Sequence, residues 1–542
     1  MADPTEISSH DLTAWLLSAD ERGNDRTRLD EIHPGQAWTE GNRVRPLIHG
    51  ATYFARLHEC LEATGAGDVV RFADWQGDAD ERLTGEPGSE VLEVLGRAAA
   101  RGVDVRGLVW HSRPAAAAGD LGDNAEFSSR LRARGVEAWL DLRTRPRGSH
   151  HQKFVVLRHR DDPSRDVAFV GGIDLCHSRR DDAEHLGDPQ HYDLAEEYGA
   201  TPPWHDVQAE ITGPAVHDVE TVFRERWEDP APFDGTSGRR ITRPRRSTPS
   251  TPTPSPLPAQ LPAPPAVPGG THVVQLLRTY PQLTAKRDYP FAPGGERSVA
   301  RGYTRAIRRA RRLIYVEDQY LWGRHVGEMF GRALEQNPEL HIIAVTPLHP
   351  DLEGPLGRWP QLEGRRRALR HLLRAAPDRV ALYGLENHSG TPVYVHAKAC
   401  VIDDTWTTIG SDNFNRRSWT HDSELSAVVV DRAGDYGRRL RLTLAAEHLD
   451  RVCDESFTTT ADCLDPADMF ATYAASAARL DAWHDGGRVG PRPDGRLRAM
   501  RAGELGPFAR AVAALPYTYL HDPDGRPRHL RRDHGFWEEN RS

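Results

Sequence analysis

The sequence predicts an α/β protein made of two similar halves, and three observations predict it. One stretch occurs twice, at residues 151–174 and again at residues 394–424. Amphipathic segments with helical spacing alternate with short apolar runs of strand length, the pattern of β-α-β units. A segment rich in Pro, Ser and Thr, residues 236–270, stands between the two copies. Such a composition buries no core and reads as an extended or disordered linker. A chain of 542 residues holds more than one domain at usual sizes.

Taken in order, residues 1–41 read as a loosely ordered lead-in with one helix near residues 11–18. The first half spans residues 42–235. Tyr53, Leu57, Cys60 and Leu61 recur at helical spacing and place a helix over residues 50–63. Residues 68–75 read as a buried strand. A helix over 91–100 stops at Gly102. A strand over 103–110, a helix over 124–133 and a strand over 136–142 follow. The first copy of the repeated stretch adds two strands, then come a strand over 204–209 and a helix over 216–227. Residues 271–450 repeat the plan: a helix carrying Tyr303, Ile307 and Ala310, a buried strand over 313–320, strands over 341–346 and 380–383, and a helix over 369–375. The offset from Asp74 to His151 and that from Glu317 to His396 differ by only two residues, which supports internal duplication. Residues 451–542 form an extension with a helix over 470–483. Its tail aromatics Tyr517, Tyr519 and Phe536 are expected to pack on the main body.

Composition narrows the function classes. The net charge is -9, which argues against a dedicated nucleic-acid binder. The arginines of residues 301–312 and 365–370 read as helix surface, and Arg243, Arg245 and Arg246 as solvated linker. Five cysteines without metal-ligand spacing read as reduced thiols. The first 25 residues are polar and acidic, unlike a signal peptide, and no run of about twenty apolar residues occurs. A cytoplasmic protein with peripheral membrane contact is the expectation. Residues 172–193 carry His177, His185 and His191 beside Arg179 and Arg180. No two of these histidines share ligand spacing with a carboxylate on one element, so the segment reads as a loop at a pocket mouth and no metal is assigned.

The repeated stretch carries the chemistry. The second copy reads His396-Ala397-Lys398, an apolar run to Ile402, then Asp403, Gly410-Ser411-Asp412-Asn413 and Asp422-Ser423-Glu424. The first reads His151-Gln152-Lys153, an apolar run, and Gly171-Gly172-Ile173-Asp174. On a strand, second neighbours share a face, so each copy offers one imidazole beside one ammonium. Both copies resemble the HKD motif of the phospholipase D superfamily, and the resemblance covers residues 68–430. The second copy fits the pattern fully. The first has Arg158 where the pattern has Asp, a departure at the bracing position and not at a residue of the chemistry.

The resemblance implies two α/β/α sandwich domains with mixed, mostly parallel sheets, related by a pseudo-twofold, with the active site at their interface. It implies a phosphodiesterase working through a covalent phosphohistidine, with His151 as nucleophile and His396 as general acid and base. Lys153, Lys398 and Asn413 would hold the phosphate oxygens, and Asp174 stands where the second copy has Asn413. Asp206 would orient His151. Glu424 would orient His396, with Asp422 as a close competitor. Asp74, Glu317 and Gln319 are assigned to substrate binding, and Gly171, Gly172, Gly410, Ser411 and Asp403 to the motif framework. No cofactor is implied, because the lysines supply the positive charge. The implied substrate is a glycerophospholipid, the implied form is bacterial, and one chain with both motifs implies a monomer. A nuclease using the same histidines would instead need a continuous basic groove. A cardiolipin synthase would normally carry N-terminal membrane helices. A scaffold without activity would need a damaged site.

Overall fold

The strands are short runs of apolar residues, and many are buried at every position, as in sheets covered on both faces. The computed structural model describes residues 9–29, 31–33, 35–111, 123–233, 254–283, 288–500 and 505–531. Eighteen strands occur among them. They are β1 Thr39–Ile48, β2 Val69–Asp74, β3 Asp104–Trp110, β4 Glu137–Asp141, β5 Phe154–Arg158, β6 Val167–Gly171, β7 Trp204–His205, β8 Val207–Thr212 and β9 His272–Tyr280. They continue with β10 Glu296–Arg297, β11 Leu313–Asp318, β12 His341–Val345, β13 Val380–Glu386, β14 Pro392–Val395, β15 Lys398–Ile402, β16 Trp406–Gly410, β17 Glu424–Asp431 and β18 Leu497–Ala499.

These strands form two mixed sheets with one strand order. The first runs β4-β3-β2-β5-β6-β8-β1, parallel from β4 to β2 and antiparallel beyond. The second runs β13-β12-β11-β15-β16-β17-β9 with the same directions. The repeat seen in the sequence is thus a repeat of topology. Strand β1 joins the sheets. Residues 43–48 pair with β8, while Thr39 and Asn42 pair with β9 across a bulge. Gly41 sits in that bulge with φ +74°, and a Cβ there would lie 2.6 Å from the Ala266 side chain.

Alternation along the strands sorts side chains into layers. Phe154 and Val156 join Ala399, Val401, Ala427 and Val429 in one core shared by both sheets. Val155 and Leu157 face the helices Gly50–Glu62, Val91–Ala100 and Asp123–Ala133. Cys400, Ile402, Val428 and Val430 face the helices Ser298–Arg309, Arg324–Gln336 and Gly354–Ala375.

Several expectations change. Strands β1 and β9 and the helix Arg324–Gln336 were not placed from the sequence, and Gly354–Ala375 is far longer than residues 369–375. The described part of the lead-in, from residue 9 on, is not loose. Leu12, Leu16 and Leu17 are buried against Ser298–Arg309, and Gln275 closes both backbone groups of Leu17 at 3.1 and 2.8 Å. Residues 254–270 have no regular structure but are tied down: their carbonyls accept from Arg106, Arg158, Arg224 and the Trp227 indole. Residues 243–246 and Phe536 lie outside the described residues. Tyr517 is buried as expected, whereas Tyr519 is 60% exposed.

Arg158 has its own role. Asp403, its counterpart, accepts from the backbone N–H groups of Arg311, Arg312 and Leu313 at 2.7, 2.8 and 2.9 Å and so anchors the start of β11. Arg158 is fully buried, bonds Asp166 at 2.7 Å and Glu220, and reaches the Pro262 carbonyl. Asp68 takes over part of the bracing by accepting from the Arg160 backbone at 3.1 Å. Arg158→Met should destabilise the protein by roughly 3–5 kcal/mol, because two buried carboxylates lose their shared cation. Urea unfolding checks this, and an unchanged midpoint would contradict it.

Candidate active site

Each catalytic candidate is placed by the ends of central strands. His151 precedes β5, and His396 sits in the gap between β14 and β15. Neither histidine is within a strand, so the shared face read from the sequence is extended by two lysines that fold back. Lys153 Nζ donates to the His151 carbonyl at 3.0 Å, and Lys398 Nζ donates to the His396 carbonyl. Both ammonium groups are buried, and Lys398 also donates to Gln319 Oε1 at 3.2 Å.

The carboxylates cross between the halves, which corrects the pairing expected from the sequence. His151 Nδ1 bonds Glu424 Oε2 at 2.9 Å, and His396 Nδ1 bonds Asp206 Oδ2 at 2.7 Å. The backbone explains the exchange. The His151 N–H donates to the Ser423 carbonyl at 2.9 Å, and the His396 N–H donates to the His205 carbonyl at 2.8 Å. Strand β14 runs parallel to β7, and His150 bridges in parallel to Ser423. Each histidine is therefore sewn beside the residue preceding the other half's carboxylate. Asp422 touches neither imidazole; it accepts from the Ser149 N–H at 2.9 Å and from Arg417.

The glycine positions follow from close approach. A Cβ at Gly172 would lie 2.2 Å from Asp206 Oδ1, one at Gly171 2.3 Å from Gln208 Oε1, and one at Gly410 1.7 Å from Ser426 Oγ. Ser411 occupies the place of Gly172 in the second half and donates to Glu424 Oε2 at 2.6 Å.

Other assignments divide. Asp174 Oδ2 lies 3.5 Å from Lys153 Nζ, and its Oδ1 accepts from the Trp75 and Gln76 N–H groups. Asn413 is buried beside the second motif. Gln319 links Lys398 to the Tyr394 hydroxyl, at 2.7 Å from the latter. Glu317 does not reach this site. It is fully buried and bonded to His205, His448 and Tyr315 at 2.6, 2.7 and 2.6 Å. The strand register gives the reason: Ala73 pairs with Phe154 and Glu317 with Ala399, so the counterpart of Asp74 is Asp318. Asp318 accepts from the Tyr320, Leu321 and Phe414 N–H groups at 2.9, 2.6 and 2.9 Å, a loop anchor. Asp74 is likewise sealed at 1% exposure and holds the Leu175 backbone.

Aromatic and basic neighbours were missed. Trp75 meets the His151 ring edge at 6.2 Å, and Trp204 meets the His396 ring at 4.9 Å. Arg179 lies over Trp204 at 4.1 Å and is buried. His185 of the same loop is fully buried as well. The only sequence signal for these was their position within the stretches flanking the motifs.

Burial, Lys153 and Lys398 hold the His151 imidazole well below its usual pKa. Burial and Lys398 do the same for His396. Burial pushes Glu424 up to about 7 and lowers Lys398 to about 8. Each Nδ1 faces a carboxylate, which leaves each Nε2 as the group free to attack or to carry a proton. The side chains of His151 and His396 are 15% and 8% exposed, so both open on a recessed site.

The family model described as phospholipase D matches residues 64–343, and one described as cardiolipin synthase, PLD-like domain, matches residues 303–440. Phospholipase D alpha 2 of Oryza sativa subsp. japonica is 25% identical over 76% of this chain and 65% of its own length. Phospholipase D A of Dictyostelium discoideum is 26% identical over 52% of this chain and 24% of its own length. The chain therefore spans from about a quarter to about two thirds of these curated relatives. Phosphatidylserine synthase of Haemophilus influenzae shares the fold at a TM-score of 0.50 and 12% identity, over 81% of this chain and 93% of that one.

The crossed pairs make a spectroscopic prediction. Glu424→Gln should lower the titration point of His151 and leave that of His396, whereas Asp206→Asn should do the reverse. Ring-nitrogen NMR of histidine-labelled protein reads both, and a response of the histidine in the same half would contradict the crossing.

Proposed function

The chain belongs to the phospholipase D family, and on that premise we propose that it cleaves the head-group side of the phosphodiester in glycerophospholipids through a covalent phosphohistidine. The observation that carries this reading is the pair of imidazoles, each held through Nδ1 by a carboxylate from the other half and flanked by buried lysines. A phosphodiester needs a nucleophile, a proton for the leaving oxygen and positive charge for the equatorial oxygens. His151 Nε2, on the more accessible ring, attacks phosphorus. The P–N bond forms as the P–O bond to the head group breaks, and His396 Nε2 gives its proton to that oxygen. Water or an alcohol then loses a proton to His396 and attacks phosphorus, and the P–N bond breaks. Lys153, Lys398 and Asn413 balance the oxygens, while Glu424 and Asp206 stabilise the imidazolium on their respective rings.

Both rings resist protonation in the free protein, because they are buried and because lysines stand beside them. The anionic substrate offsets that charge and lets His396 take up its proton. Transfer to an alcohol is the same chemistry with a different second nucleophile, and the match to the cardiolipin synthase family model supports it as a second reading. A lipid substrate is supported by exposed apolar side chains. Leu352, Leu356, Phe508, Leu515, Tyr519 and Leu520 are each at least 43% exposed. The Tyr519–Leu520 segment is tied to the loop leading into His151, since Arg147 reaches the Tyr519 carbonyl and Arg417 bonds the carbonyls of Leu520 and Arg147. His521 Nε2 lies 3.1 Å from the Leu356 carbonyl, which joins the patch. No helix among the described residues is long and apolar enough to cross a membrane.

Phosphatidylcholine with added ethanol should yield phosphatidylethanol from the wild type, with His151→Ala and His396→Ala each at least ~10³-fold slower. No lipid turnover would remove the lipid assignment and send the same variants to other diesters. Radiolabelled phosphate trapped on His396 alone would exchange the two histidine roles. Lys398→Met removes a cation beside His396, favours the imidazolium and raises its pKa. The general acid then stays charged to higher pH, so the alkaline limb of the kcat profile should move up while kcat itself falls. A limb that does not move would contradict the electrostatic role of Lys398.

A further inference from the structure

Behind Asp206, three imidazoles of the first half meet one carboxylate of the second. His49 Nε2 lies 2.7 Å from Glu447 Oε2, His185 Nε2 3.0 Å from Oε1, and His205 Nδ1 3.5 Å from Oε1. The four ligand atoms all lie within 4.8 Å of one another. The three histidines are at most 4% exposed. Ligands about 2.0–2.1 Å from a tetrahedral zinc stand roughly 3.3–3.4 Å apart, so to enclose an ion the pairs at 2.7 and 3.0 Å would open slightly and the wider pairs, at up to 4.8 Å, would close.

The outward nitrogens fix which atoms face the centre. His185 Nδ1 lies 3.1 Å from the Trp204 carbonyl, which can only accept, so that nitrogen carries a proton. His205 Nε2 lies 2.6 Å from Glu317 Oε2, and His448 holds the other oxygen of Glu317 at 2.7 Å. A carboxylate bonded to the far nitrogen of an imidazole is the usual support of a metal-ligating histidine. His205 Nδ1 is buried, aims at Glu447 and has no hydrogen bond. In neutral His185 and His205 the lone pair would face the Glu447 carboxylate, a repulsive arrangement relieved by a metal ion between them or by a second proton on the ring, whereas His49 Nδ1 has no hydrogen bond and its Nε2 can donate to Glu447. Two of the three histidines also adopt backbone conformations that side chains rarely take, His49 at φ +67° and His185 at φ +54°.

We propose that His49, His185, His205 and Glu447 bind one divalent transition-metal ion of the zinc class, with Glu317 and His448 orienting His205. Three imidazoles and one carboxylate suit zinc or a similar late first-row ion. The ion fastens Glu447, on the helix Tyr436–His448, to the first half. It does not touch the reacting phosphate. It acts on the site through position: the His49 N–H donates to the Asp206 carbonyl at 2.9 Å, and the His396 N–H donates to the His205 carbonyl at 2.8 Å.

The test uses the whole 542-residue chain expressed with added zinc and dialysed against metal-free buffer. About one equivalent of zinc per chain should remain by elemental analysis. After stripping with a chelator, added zinc should raise the unfolding temperature, and added cobalt should give the visible absorption of a tetrahedral ion. Glu447→Gln and His185→Ala should lose the ion, while His177→Ala, outside the cluster, should keep it. Retention of the ion in both cluster variants would overturn the proposal. If those variants do not fold, the wild type alone decides: no retained zinc, together with no thermal or spectral response to zinc or cobalt, would mean that protons alone fill the cluster.

Discussion

The hydrogen bonds from the imidazole of each repeated motif to a carboxylate of the opposite half set the terms for the rest of the structure. A buried histidine beside buried lysines has little reason to keep a defined proton unless an anion faces one of its nitrogens. Glu424 supplies that anion to His151 and Asp206 supplies it to His396. To bring them there, β14 must run beside β7 and His150 beside Ser423, so the ends of the two sheets are fixed against each other. The shared apolar core between the sheets and the double pairing of β1 hold that alignment. The glycines at 171, 172 and 410 clear the space through which these contacts pass.

The two halves share a strand order but not their details, and the differences fall where the chemistry permits them. Asp403 anchors the start of β11 with three backbone bonds, whereas Arg158 uses its charge to bind Asp166, Glu220 and the linker. Asp174 stands where the second half has Asn413 and lies against Lys153. The two lysines are thus in different electrostatic settings, one facing a carboxylate and one facing the Gln319 amide. Two imidazoles with different tasks fit such an asymmetric pair.

Local patterns in the sequence were legible. The helices at Gly50–Glu62, Val91–Ala100 and Ala215–Trp227 follow from apolar periodicity, and the two His-x-Lys stretches marked the site region. Contacts between the halves were not, because nothing local records them. The pairing taken from the family resemblance put each carboxylate with the histidine of its own half, yet the interface exchanges them. Glu317 and Asp318 are adjacent acids on a strand buried on both faces, and only the register against β15 separates the acid that bonds His205 and His448 from the loop anchor. Strand β1 was hidden by Gly41, Pro46 and two exposed arginines in an otherwise weak apolar pattern. His49, His205 and Glu447 are too far apart in sequence to show as a cluster.

The crossing also has a bearing on how the protein comes into being. A ribosome releases His151 long before Glu424, 273 residues further along, and Asp206 precedes His396 by 190. A nascent first half therefore displays an imidazole with no carboxylate to set its tautomer and a carboxylate with no imidazole to orient. Neither half can be armed by itself while the chain is being made. His151 meets its carboxylate only when synthesis has passed Glu424, so a truncated product carries the first motif without the pair that completes it.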